Sequence, residues 1–106
     1  MHEGTSQADS YGDLSLLDGG HLIEIHGELV VLPEPEMQLV ASLVRAQGRA
    51  VRRTVLEMKA WGIWGAAGPA ALGHAIQRLR AELALLGSAV RISGTPETGF
   101  ALTRTA

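Results

Sequence analysis

The sequence predicts an α+β fold in which an N-terminal antiparallel sheet is followed by three helices and a closing β-hairpin. Three observations carry that expectation. Short apolar runs separated by Asp18-Gly19-Gly20 and Gly27-Glu28 fill the first third of the chain. Stretches of helical period bounded by proline and glycine fill the middle, and two β-like runs flank a glycine-containing turn at the end. With 106 residues, 46% of them hydrophobic, the chain has material for one compact core and too little for two.

Residues 1–12 mix Gly, Ser, Thr, Gln and Asp without periodicity, which is the composition of a flexible, solvated tail, so the folded domain is expected to span 13–106. Residues 14–17 and 21–26 read as strands joined through Asp18-Gly19, since Asp-Gly supplies the positive φ that hairpin turns need, and 29–32 as a third strand. Pro33, Glu34, Pro35 and Glu36 open the first helix, because proline fits a first turn and carboxylates favour the positive end of the helix dipole. Met37, Val40, Ala41 and Val44 form its stripe, widened by Leu39 and Leu43, and Gly48 is expected to end it. A second helix is expected over 53–60, with Leu56 and Ala60 inward, running into the loop from Trp61 to Gly68. Pro69 and Gly87 bound a third helix over 69–86. On it Leu72, Ile76, Leu79, Leu83 and Leu86 share one stripe, while Ala70, His74, Gln77, Arg78 and Ala81 lie opposite, with Arg80 on the flank. Residues 89–92 and 100–103 then form the hairpin. Sheet, three helices and hairpin in this order is a winged helix-turn-helix, with the third helix suited to a DNA major groove and the hairpin wing lying beside the minor groove.

The net charge of −2 hides a sharp division. Residues 1–44 carry eight carboxylates and no Lys or Arg, whereas nine Lys and Arg against three Glu follow from Arg45 onward. Such segregation points to one face that meets a polyanion while the acidic part looks elsewhere.

Read together, the residues resemble the DNA-binding effector domain of bacterial OmpR/PhoB-type response regulators, without gaps from about Gly12 to Thr103. The family's first-helix signature is echoed in Glu36-Met37-Gln38-Leu39-Val40 and in Leu43-Val44-Arg45-Ala46-Gln47-Gly48-Arg49-Ala50-Val51. Its Trp-Gly after the second helix appears as Trp61-Gly62. Its recognition-helix pattern appears as Ala75-Ile76-Gln77-Arg78-Leu79-Arg80-Ala81-Glu82-Leu83, and its wing motif as Thr98-Gly99-Phe100. The resemblance implies that Arg78 reads base edges and Arg80 clamps a phosphate. It places Arg53 and Trp61 at the DNA backbone, Thr98 near the minor groove, and the loop 62–68 where some relatives touch RNA polymerase. Departures fall on the wing, where Pro96 and Glu97 replace the family's arginine and glycine, and at Ala70, Ala75 and Phe100. A carboxylate beside phosphate is repulsive. No phosphoacceptor receiver domain is expected before the fold, so regulation by phosphorylation is not implied.

Gln77 has the donor and acceptor to pair with adenine, and His74 can meet a base or a phosphate. Arg52 stands where the family prefers a capping Ser or Thr. An arginine there makes most sense near phosphate, given that the lost cap costs about 1 kcal/mol. Chemistry is not indicated. Gly94 to Gly99 has the spacing of a phosphate loop but is followed by Phe100-Ala101 in place of the Lys-Ser/Thr pair, and Gly62, Gly65 and Gly68 lack a dinucleotide turn's Gly-x-Gly start. His2, His21, His26 and His74 show no ligand spacing, and there is no cysteine. The reading is therefore a cytoplasmic, sequence-specific double-stranded DNA-binding transcription regulator. It is not an enzyme, takes no metal, cofactor or small-molecule substrate, and does not enter a membrane. RNA polymerase and a second copy of the chain, through Leu85 and the N-terminal sheet, are further partners. The alternative is a winged-helix protein-interaction module with weak or no DNA binding.

Overall fold

A computed structural model describes residues 9–62 and 68–105. Residues 1–8 of the expected tail, and 63–67 of the loop with Trp64, lie outside the described residues. The element order is β1 (Ser10–Tyr11), β2 (Leu14–Leu17), β3 (Leu22–Ile25), β4 (Glu28–Val30), α1 (Glu34–Ala46), α2 (Arg53–Trp61), α3 (Gly68–Leu85), β5 (Val90–Thr95) and β6 (Gly99–Arg104). Strands β1 to β4 form an antiparallel meander, and β5 and β6 form a separate hairpin.

The N-terminal sheet differs from the sequence expectation in detail. Ser10 and Tyr11 pair with Ser15 and Leu14, so residues 9–12 belong to the folded body. Two residues are too few to show a period. They are held from afar by the Gln47 amide on the Ser10 carbonyl at 2.8 Å and by the Arg104 guanidinium 5.4 Å from the Tyr11 ring centre. The β2–β3 connection is a short 3-10 turn over Asp18–Gly20, with positive φ at all three residues. The next turn falls at His26-Gly27 and not Gly27-Glu28. Both residues have positive φ, as a two-residue primed turn demands, and Ile25 pairs with Glu28.

The helices close much as their sequence signals dictate. Gln47, not Gly48, is the first left-handed residue after α1. Its side-chain amide bonds back to the Val44 carbonyl at 2.7 Å, which offsets the unfavourable φ. Arg52 caps α2 without any side-chain bond to the helix, as expected of an arginine in that position. At the end of α3 the Ser88 N–H bonds Leu83 and the Gly87 N–H bonds Ala84, a Schellman motif with Gly87 at φ 71°.

The inner face of the sheet (Leu14, Leu16, Ile23, Ile25), the α1 stripe, Leu56 of α2, and Leu72, Ala75, Ile76, Leu79 and Leu83 of α3 merge into one core with Val90, Ile92, Phe100 and Leu102 of the hairpin. Towards the tip the first hairpin strand runs three residues further and the second one residue further than the 89–92 and 100–103 runs indicated, up to the pair Thr95 and Gly99. Glycine permits this. A Cβ at Gly94 would sit 2.0 Å from the Gly99 carbonyl oxygen, and one at Gly99 would sit 2.8 Å from that of Val51. The second approach exists because Val51 exchanges two backbone hydrogen bonds with Phe100, at 2.7 and 2.9 Å, pinning the hairpin to the α1–α2 connection.

One polar knot ties the first and last thirds of the chain together. The Asp13 carboxylate accepts from the Ser88 hydroxyl at 2.6 Å and from the Ala89 N–H at 2.8 Å. His26 Nε2 lies 3.1 Å from the same carboxylate and 3.2 Å from the Gly87 carbonyl, both acceptors, so this nitrogen carries the proton. Burial on its own raises the affinity of Asp13 for a proton. The bonds from Ser88 and Ala89 and the nearby His26 outweigh it and hold the carboxyl below its ordinary value of 3.8. A depressed carboxyl contributes stability that is present above the unfolded-state value and lost as pH falls through the folded one. Thermal unfolding should therefore show a loss of stability below about pH 3.8 that is smaller in Asp13→Asn. That variant should also be destabilised at neutral pH, by about 1 to 3 kcal/mol. Equal acid sensitivity in both proteins would remove Asp13 from this role.

Candidate nucleic-acid interface

The face of α3 turned from the core presents Ala70, His74, Gln77, Arg78 and Ala81, all exposed, and Arg80 is half-buried on its flank. This is the division that the 3.6-residue period requires once Leu72, Ile76, Leu79 and Leu83 are buried.

Within that face the two arginines are held differently. Arg78 donates from Nε to Glu36 Oε2 at 2.7 Å and from Nη2 to the same oxygen. The Glu36 carboxylate is only 4% exposed, whereas the Arg78 side chain remains 65% exposed. Glu36 sits in the first turn of α1, near the positive end of the helix dipole, and from there its carboxylate fixes the guanidinium of a neighbouring helix. Glu82 lines the small pocket beside this pair, together with Leu32, Pro33 and Leu79. Arg80 donates from Nε to the Ile92 carbonyl at 3.1 Å and so fastens α3 to the hairpin. Nothing in the sequence links residues 36 and 78, or 80 and 92. The acidic half is thus not wholly segregated, because Glu36 reaches α3.

The remaining predicted positions fall into two places. His74 and Gln77 stand on the exposed α3 face. Arg53 and Thr98 meet across a cleft of about 310 Å³ between the start of α2 and the hairpin tip, lined by Arg52, Arg53, Thr54, Pro96, Glu97, Thr98 and Gly99. Arg53 is paired with Glu57 one helical turn on, at 3.3 Å. Trp61, at the end of α2, is half-buried against the core. The hairpin tip is closed by hydrogen bonds between Thr95 and Thr98. The Thr95 N–H bonds Thr98 Oγ1 at 3.0 Å, the Thr98 N–H bonds Thr95 Oγ1 at 3.2 Å, and the two hydroxyls are 3.1 Å apart. Glu97 is therefore presented at a fixed turn, in the same cleft as Arg52 and Arg53. The sequence showed the carboxylate on the wing but not the arginines facing it.

Among the described residues no group of three His, Cys, Asp or Glu could hold a metal ion, and no helix is long and apolar enough to cross a membrane.

No protein-family model and no curated protein matches the sequence. Solved structures do match. The DNA-binding domain of the response regulator AdeR, in complex with an intercistronic region, is 17% identical with a TM-score of 0.77, over 91% of this chain and 99% of that one. The C-terminal domain of NsrR, a lantibiotic response regulator of nisin resistance, is 20% identical with a TM-score of 0.71, over 92% and 99%. A redox sensor of the streptococci, from a family evolved from two-component response regulators, is 20% identical with a TM-score of 0.76. That match covers 98% of this chain and 45% of that one, so the present chain spans less than half of the sensor. These likenesses, with the sheet, three helices and hairpin described above, establish that the chain has the winged-helix fold of OmpR/PhoB-type response-regulator DNA-binding domains.

Proposed function

We propose that the chain binds double-stranded DNA as a transcription regulator, with α3 in the major groove and the β5–β6 wing beside the minor groove. The observation that carries this reading is the exposed α3 face, on which Arg78 is held by buried Glu36 through Nε and Nη2 while most of its side chain stays exposed. Reading a base edge requires a bidentate donor whose position is fixed before contact, and a guanidinium braced from behind meets that need. His74 and Gln77 stand beside it, with Arg53 and Trp61 at the backbone, Thr98 near the minor groove, and Arg80 bracing the wing while its remaining N–H groups meet a phosphate. The fold shared with the AdeR domain solved on DNA supports the reading. On this reading the chain is a binder and not an enzyme, acts in the cytoplasm, and has RNA polymerase or a second copy as further partners.

The test is an amide NMR titration with a random duplex. Resonances of residues 74–81, 52–54 and 96–99 should move, and those of 14–25 should not. The same titration with Glu97→Gly should show tighter binding to any duplex, since a fixed carboxylate beside Arg52 and Arg53 opposes phosphate. Unchanged affinity in that variant would remove the wing tip from the interface. Shifts confined to the outer sheet, or none, would favour the protein-interaction reading, to which Glu97 and the 82%-exposed Leu85 also belong.

A further inference from the structure

A second cleft, of about 300 Å³, lies between α1 and α2 and is lined by Gln38, Ser42, Arg45, Val51, Val55 and Lys59. We propose that it docks an acidic, aliphatic segment of a partner protein, one carboxylate meeting Arg45 and Lys59 and an aliphatic side chain lying on Val51 and Val55.

Four observations converge on this occupant. Among the described residues the two charged lining side chains are both cations and no carboxylate lines the cleft, so its charge calls for an anion. Arg45 makes one hydrogen bond among the described residues, a long one from Nη2 to the Gly19 carbonyl at 3.5 Å, so its guanidinium is held there by no strong acceptor. The valines, with Val55 36% and neighbouring Met58 47% exposed, add an apolar floor that an inorganic anion would leave uncovered. The volume is at the low end of the range for ligand pockets, roughly 300 to 1,000 Å³, which suits a short chain segment rather than a bulky ring system.

The position argues against DNA as the occupant. At 100° per residue Val55 and Lys59 fall on the flank of α2 opposite Arg53 and Glu57, and Arg53 faces the wing cleft. A duplex along α3 and the wing would leave the α1–α2 cleft open. Peptide docking can succeed or fail whether or not α3 reads DNA, and a duplex measurement enters the test only as the control that DNA does not occupy this cleft.

The experiment is an amide NMR titration of the whole chain with the acetylated, amidated tetrapeptide Glu-Leu-Glu-Glu, with the same peptide carrying Lys for each Glu, and with inorganic phosphate. The acidic peptide alone should shift amides of residues 38–45 and 51–59. Lys59→Gln and Arg45→Gln should each weaken it by roughly threefold to tenfold. Lys59 is exposed on a helix surface, so its variant keeps the test valid should Arg45→Gln fail to fold. Duplex affinity and its salt dependence should be unchanged in Lys59→Gln. The proposal is overturned by equal shifts from both peptides, by phosphate reproducing the shifts, or by no shift at millimolar peptide. Concentration-dependent shifts without peptide that vanish in Lys59→Gln would assign the cleft to a second copy, and a reduced salt slope in that variant would assign it to DNA; either result also overturns it.

Discussion

Replacing Arg78 by alanine is expected to cost about 1 to 3 kcal/mol of affinity on the preferred DNA site and little on a scrambled duplex. The asymmetry follows from where its charge sits. Arg78 is flanked by Glu36 and Glu82, so its contribution to the long-range attraction of phosphate is largely cancelled, while the directional N–H groups that face solvent remain. A group of that kind discriminates more than it attracts. Arg80→Ala should weaken both duplexes alike and reduce the salt slope by about one, because it removes the proposed phosphate contact and loosens the wing at Ile92. Arg78→Ala also leaves the Glu36 carboxylate, 4% exposed, without its cation. Arg78→Lys therefore serves beside it, keeping a positive charge at Glu36 while losing the planar fork. The lysine variant should fold like the parent and still lose discrimination at one or two base pairs. After selection of a preferred sequence, both variants are measured on that site and on the scrambled duplex. An unchanged preference in both would show that this helix does not read sequence.

The parts of the fold that sequence made legible are those written in local periods and caps. The α3 stripe assigned Leu72, Ile76, Leu79 and Leu83 to the core and the arginine face to solvent, omitting buried Ala75 and including half-buried Leu86, and Gly87 marked its end, because burial of a regular helix imposes a 3.6-residue pattern and left-handed closure favours glycine. Strand β1 was not legible, since a two-residue strand has no period, and its support comes from Gln47 and Arg104. The turn at His26 was misplaced by one residue. Its positive φ is held by contacts to Asp13 and Gly87, distant partners that no local rule contains.

The candidate site divides in the same way. That Arg78 is exposed and Arg80 flanking was readable from their angle to the stripe. That Glu36 braces the first and Ile92 engages the second was not, because both contacts join elements far apart in sequence. The opposition of Glu97 to Arg52 and Arg53 likewise depends on Val51 pinning the hairpin to the α1–α2 connection, a backbone pairing without side-chain signature.

The most direct measurement of the central claim is the affinity for a random duplex as a function of salt. If arginines of the basic segment lie at roughly 3 to 6 phosphates, counterion release gives a log-log slope of about −3 to −5, a loss of about two to three orders of magnitude between about 50 and 200 mM salt. The wild-type chain is expected to show that slope. A slope near zero, or no binding at the lowest salt, would contradict DNA binding by this winged helix.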